Sequence, residues 1–271
     1  MSGLLSPLSY TPCAIVVGER DAVATADKRG ANRTASAVVL LRDVVTADCI
    51  ADHELFEGLP AAALADLGGR FTHLNFRKGE LIYSPYDRGE AMYLVADGRV
   101  RLYRSAADGR QLTLAIMDEG MAFGQLAALD TPTHDAYAEA MSECVLQVVR
   151  VADLERAVAE HPRMAVNLLR TLVQRLHEAE DQIESLAFRG VPARLAAKLL
   201  ELMERYGRVT RDGIRIDERF THMQLAEMIG TSRETLTKVI NELRDAGLID
   251  IRERMIWVLD VPGLERLKST G

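Results

Sequence analysis

Between Phe71 and Val151, apolar and polar residues alternate in short runs: "HLNFRKGELIYS", "AMYLVADGRVRLYRS", "RQLTLAIMDEGMAFG". Turn signals separate them at Lys78-Gly79, Arg88-Gly89, Asp97-Gly98, Asp108-Gly109 and Glu119-Gly120. A period of two predicts half-buried strands, and Asp-Gly between such runs is a strong hairpin signal. Many short strands so punctuated imply a compact antiparallel barrel or roll, with "CVLQVVRV" as its last strand. Before it, a helical pattern starts at Val38 and runs through "LLRDVVTADCIADHELFEGL". Pro60 then opens a short helix stopped by Gly68-Gly69. Residues 1–37 show little periodicity and read as a disordered tail or an overlong start.

After the roll the period becomes helical and stays so. From about Ala165 to Phe188 there is neither Gly nor Pro. Leu168, Leu169, Leu172, Leu176, Ile183 and Leu186 form a narrow stripe near heptad spacing, opposite a heavily charged face. Such a stripe suits pairing with an identical helix; the plainer alternative is packing against the chain's own roll. Past the Gly190–Pro192 break come an amphipathic "ARLAAKLLELMERYG" and a polar, hairpin-like "RVTRDGIRIDERFT". The expected organisation is therefore a tail over 1–37, a roll with flanking helices over 38–163, a dimerisation helix over 164–188 and a separate final unit over 189–271. The fold class is α+β.

The unit at the end of the chain carries the chemistry. "THMQLAEMIGTSRETLTKVINELRDAGLI" reads as two helices joined at Gly230. In the first, Leu225, Ala226 and Ile229 point inward. Thr231 with Glu234 is expected to form a capping box for the second. There Leu236, Val239, Ile240 and Leu243 make the buried stripe, so Arg233, Glu234, Thr237 and Lys238 face outward with Asn241. An arginine can fork onto guanine, a glutamate can accept from cytosine, and hydroxyls and a further cation can hold phosphates or bases. Thr221, Ser232 and Thr235 are candidates for the DNA backbone. "LIDIRERMIWVLD" predicts a β wing with Arg252 and Arg254 at its tip. The alternative, a solvated charged face on a packing helix, explains the outward residues but neither the turn nor the wing.

Composition narrows this reading. The net charge of −7 argues against nucleic acid, yet residues 189–271 hold 15 Lys+Arg against 13 Asp+Glu, and the remainder 18 against 27. Only the final third has a field tolerant of phosphates. Cys13, Cys49 and Cys144 share no metal-binding spacing, so free cysteines are expected rather than zinc, a cluster or a disulfide. No metal site and no catalytic residue is expected, because Walker, GxGxxG, HExxH and GxSxG motifs are all missing. No apolar run spans a membrane and no basic-then-apolar leader opens the chain, so the cytoplasm is the expected location.

With "GEAMYLVADGRVRLY", "FGQLAAL", a long helix ending in "LAF" and "IGTSRETLTKVINELRDAGLI" in place, the chain from about Leu55 to Leu267 resembles the cyclic-AMP receptor / fumarate–nitrate regulator superfamily of bacterial transcription factors. The resemblance implies a jelly-roll domain of cyclic-nucleotide-binding type, a dimerisation helix and a winged helix-turn-helix. It implies a homodimer on a double-stranded palindrome with TGTGA-like half-sites, with RNA polymerase as a further partner. Lys238 stands where the family has a second arginine, which keeps the charge but loses the planar fork.

The same resemblance implies a phosphate-binding loop at "GQLAALDTPTHDAYAEA", where relatives carry Gly-Glu and Arg-Ser. Gly124 is kept; Gln125 replaces the glutamate, Leu126 follows, and His134 and Asp135 take the Arg-Ser positions. On the long helix, Ala179 and Glu180 match the Thr-Ser pair that reads adenine. Without the clamp arginine, cyclic AMP is not expected, and another small molecule or none is. Haem ligation by His73 or His134 lacks support from spacing. The competing class is a ligand-binding module that controls a partner protein and still binds cyclic nucleotide; it would not need a capped two-helix unit with a wing.

Overall fold

A computed structural model describes residue 50 and residues 53–124 and 133–270 of the 271-residue chain. The tail, most of the helix expected from Val38, and Cys13, Cys49, Gln125 and Leu126 lie outside the described residues. The described end of that helical pattern is only a 3-10 turn, Glu54–Phe56. His53 caps it: its Nδ1 accepts from the Leu55 amide, which satisfies a donor a longer helix would have bonded internally. The first α-helix, α1, is Ala61–Gly68, with Pro60 as its N-cap rather than its first residue.

The strands follow in order: β1 Thr72–Phe76, β2 Leu81–Tyr83, β3 Ala91–Asp97, β4 Val100–Ser105, β5 Gln111–Met117, β6 Ala122–Phe123, β7 Tyr137–Ala140 and β8 Cys144–Arg150. They form two four-stranded sheets, in the orders β1-β8-β3-β6 and β2-β7-β4-β5. In β3, Met92 and Leu94 are buried with their β8 partners Val149 and Gln147, as the period of two requires. A helix that the alternation gave no sign of, α2 (Val151–Glu160), then precedes the long α3, Arg163–Phe188.

Helix α4 (Val191–Tyr206) leads into β9 (Gly207–Thr210) and β10 (Gly213–Ile216). The two-helix unit is α5 (His222–Met228) and α6 (Arg233–Asp245), followed by β11 (Ile249–Arg252), β12 (Met255–Val258) and α7 (Val261–Lys268). The wing is broader than expected: β10 pairs with β12, giving a four-stranded sheet β11-β12-β10-β9. Leu195, Leu199, Leu202, Ile216, Leu225, Leu236 and Leu264 build its core with almost no exposure.

The chain divides into two compact units. One holds Met1–Val100, Met117–Asp135 and Glu139–Leu169; the other holds Arg101–Ile116, Ala136–Ala138 and Arg170–Gly271. The β4–β5 hairpin therefore groups with the two-helix unit, which the sequence did not suggest. No described helix is long and apolar enough to cross a membrane.

His53 generates a pH prediction. Burial pushes its imidazole down from 6.5 to about 4, and its Nε2 has no partner. Above pH 6.5 the ring is neutral whether folded or unfolded. Below it the unfolded chain takes up the proton first, so stability falls as pH drops from 6.5 towards 4, by up to about 3 kcal/mol. Urea unfolding across this range should show the decline, and His53→Asn, which retains a capping oxygen, should flatten it.

Candidate nucleic-acid interface

Thr221 caps α5 through a full capping box: its hydroxyl accepts from the Gln224 amide, and Gln224 Oε1 accepts from the Thr221 amide. The capping box expected at Thr231 and Glu234 is absent. α6 starts one residue later, at Arg233, and Ser232 is its cap, with Oγ accepting from the Thr235 amide at 3.1 Å. Thr221 and Ser232 thus spend a lone pair on helix ends, and each cap leaves its helix N-terminus at the surface. Gly230 makes the turn with φ of 63°, and Gly247 leaves α6 with φ of 70°.

Leu236, Val239, Ile240 and Leu243 are buried as expected, which sends Arg233, Glu234, Thr235 and Lys238 into solvent; Thr237 is half-buried. Arg233, Glu234 and Lys238 thus share one exposed face. Hydrogen bonds from its own amide and from Ser232 hold the Glu234 carboxyl below its ordinary range, with Arg233 adding to the effect, so it stays an acceptor. Lys238 is 79% exposed and 3.8 Å from Glu242 one turn on.

A residue the sequence reading passed over joins this face. His222 opens α5, and its Nδ1 lies 2.9 Å from Thr237 Oγ1, whose hydroxyl donates to the Arg233 carbonyl. A single histidine at a helix start gives no sequence signal; only the crossing of α5 and α6 brings it to Thr237.

The wing tip separates the two arginines. Arg252 is engaged by Asp250 at 2.8 Å and Asp212 at 3.4 Å, and stacks 4.9 Å over Trp257. Arg254 sits in the turn itself, with φ of 64° after Glu253 at 53°, the two left-handed residues of a tight hairpin.

The stripe expected on the long helix is divided. Leu168 is 8% exposed and buried within its own unit, while Leu172 is half-buried. Leu186 keeps 37% exposure, although a Cβ at Gly230 would meet it at 2.9 Å. Leu169, Leu176 and Ile183 are 61%, 57% and 66% exposed, and two residues the sequence reading omitted, Val166 and Val173, continue their line. The exposed series 166, 169, 173, 176, 180, 183, 187 keeps strict 3–4 spacing. Glu180 is therefore on that seam, with Ala179 exposed beside it.

In the roll, Gly124 has φ of 86°, and a Cβ there would lie 2.8 Å from the Tyr93 ring. His134 is buried and stacked on Tyr83, with centroids 3.6 Å apart and planes within 5°. Tyr93 and Phe123 stack beside them at 5.1 Å. Burial lowers the His134 pKa, while Asp87 and Asp135 pull it the other way. Asp87 is itself held low by hydrogen bonds from Ser84, hydroxyl and amide. His134 and Asp135 belong to one compact unit, and Ala179 and Glu180 to the other. Cys144 is buried and free, with Sγ 3.0 Å from the Arg99 carbonyl. Among the described residues no His, Cys, Asp or Glu cluster could hold a metal ion.

Known proteins match both units. A cyclic nucleotide-binding domain model matches residues 73–161, and a Crp-like helix-turn-helix model matches residues 193–267. The cyclic AMP receptor protein of Thermus thermophilus is 31% identical, over 79% of this chain and 95% of its own length. The global nitrogen regulator of Synechococcus elongatus is 33% identical, over 70% and 87%. FixK2 of Bradyrhizobium japonicum superposes with a TM-score of 0.65 at 26% identity, covering 74% of this chain and 98% of that one. A roll of the cyclic-nucleotide-binding kind, a capped two-helix unit with a wing, and relatives that are regulators rather than enzymes lead to one assignment: the chain belongs to the cyclic-AMP receptor / fumarate–nitrate regulator family of DNA-binding transcription regulators.

Proposed function

We propose that this regulator acts as a homodimer on a two-fold palindrome with TGTGA-like half-sites, that cyclic AMP is not its effector, and that RNA polymerase is the partner it engages. The observation that carries the DNA reading is the shared exposed face of Arg233, Glu234 and Lys238 at the capped start of α6. A helix presenting a forked donor and an ionised acceptor at its first turn suits base edges in the major groove. Two such helices on a two-fold axis fit half-sites about 34 Å apart.

Support for the dimer comes from the seam on α3. Val166, Leu169, Val173, Leu176 and Ile183 expose apolar area at heptad spacing, and a second copy is the occupant that matches its period. Glu180 lies on the same seam, where a partner helix would bring its own Glu180 close. A polar residue at such a position sets register at a cost in affinity.

The roll supports a changed effector. His134 stays neutral near pH 7, and the charges beside it are the carboxylates of Asp87 and Asp135. A cyclic phosphate would meet repulsion where the family supplies a guanidinium. A neutral or cationic small molecule, or no effector, fits this chemistry. The two carboxylates tie the prediction to charge rather than to size.

Three outcomes follow. Arg233→Ala should weaken binding to the palindrome by about 10- to 100-fold in fluorescence anisotropy while leaving binding to unrelated DNA unchanged, the loss expected for one forked base contact of roughly 1–3 kcal/mol. Equal loss on both DNAs would remove sequence reading from α6. In sedimentation equilibrium, Leu176→Glu should yield monomers and Glu180→Leu should tighten the dimer by about tenfold; a Glu180→Leu protein that dissociates instead would place another surface at the interface. Titration with cyclic AMP should leave the affinity for DNA unaltered, and any marked rise would restore that nucleotide as the effector.

A further inference from the structure

The β4–β5 hairpin carries a buried charge that DNA contact does not call for. Arg101 of β4 is 7% exposed. Its Nε donates to Thr113 Oγ1 and its Nη2 to Gln111 Oε1, each at 2.9 Å, so β5 holds the guanidinium in place. The Tyr103 ring lies 4.3 Å beneath it. The same Nη2 is 3.0 Å from Glu227 Oε2, and both side chains are almost shut off from solvent, at 9% and 13%. Glu227 belongs to α5, the first helix of the reading unit, and all these residues lie in one compact unit.

Other contacts between the hairpin and the helices are of a different kind. Gln182 donates to the Thr113 carbonyl at 3.1 Å, and Arg205 to the Ile116 carbonyl at 3.0 Å. At Gly230 a Cβ would meet Leu186 and Leu112 at 2.9 and 3.5 Å. The apolar contact is non-directional and tolerates sliding, and the two hydrogen bonds end on backbone carbonyls of β5 from α3 and α4; the ion pair alone joins two buried charges, on the hairpin and on α5, and is satisfied at one geometry only. A buried pair gains little stability after desolvation, but losing one partner leaves a charge stranded out of water. Its best use is to select one arrangement among several of similar packing.

We propose that Arg101 and Glu227 are positioning residues for DNA reading: their buried pair sets α5, and with it α6, at the orientation in which the two reading helices of a dimer reach both half-sites. This rests on the dimeric DNA reading above. Neither side chain touches DNA; Glu227 sits on the inner side of α5, while the reading residues are on α6.

The test uses the full-length protein. Spin labels at Asp108→Cys on the hairpin and Asp245→Cys at the end of α6, with Cys13 and Cys49 changed to serine, report hairpin-to-helix distances without DNA. Affinity is measured for a site the wild type selects from a random pool and for unrelated DNA. Arg101→Met or Glu227→Gln alone should lower Tm and weaken specific binding. Arg101→Met with Glu227→Leu should regain most of the Tm lost by either single variant, because no charge is left stranded and only neutral groups such as the Thr113 hydroxyl and the Gln111 amide lose a partner, yet broaden the label distances and weaken specific binding by about tenfold with unrelated DNA unaffected. Arg101→Gln with Glu227→Gln is the companion variant, to be read if the apolar pair fails to fold. Unbroadened distances in a folded double variant, or specific affinity retained or raised, would overturn the proposal. A wild type that selects no sequence would remove the DNA reading, while the distances would still decide whether the pair positions the helices.

Discussion

The burial of four side chains on one flank of α6 is what the regulator depends on. Leu236, Val239, Ile240 and Leu243 go into the core against α5, each worth roughly 1.5–3 kcal/mol relative to exposure. Helical geometry then turns Glu234 and Lys238 to the opposite flank and into water, while Arg233, seven positions before Ile240, is exposed because it opens the helix. Capping at Ser232 satisfies the Thr235 amide, one of the donors that a helix start leaves open. The exposed face at the start of α6 is in this sense a by-product of where the core is, left over because the apolar stripe is narrow.

The long helix applies the same rule twice. Its inner flank, with Met164, Asn167 and Leu168 buried, packs within the roll's unit, and Asn167 Nδ2 donates to the carbonyls of Leu55 and Glu57. Its outer flank carries the exposed heptad seam. One helix can therefore serve its own chain and a second copy without competition, because the two stripes point in different directions. Glu180 interrupts the apolar run in the middle of the outer stripe with an exposed carboxylate.

In the roll, a tight turn and the described end of the loop after it are both fixed by aromatic packing. Gly124 retains the left-handed turn that the adjacent Tyr93 ring demands, since any Cβ would collide with it. His134 closes the described end of the loop, stacked flat on Tyr83 and with its pKa lowered by burial.

Periodicity alone made the roll, the long helix, the two-helix unit and the wing legible, because each buries a face whose spacing is written into the chain. Arg233, Glu234 and Lys238 were legible for the same reason, as the complement of a buried stripe. What periodicity could not separate was one stripe from two: Leu168 and Leu172 share their spacing with Leu169 and Leu176, and only the packing of α3 shows which flank is already covered. The cap of α6 moved from Thr231 to Ser232 because both hydroxyls fit the local pattern and the turn geometry at Gly230 chose between them. His222 beside Thr237, and Arg101 beside Glu227 more than a hundred positions away, carry no mark in the sequence. Contacts between residues far apart in the chain depend on how elements cross, and that is decided by the three-dimensional packing of the whole unit rather than by any local preference.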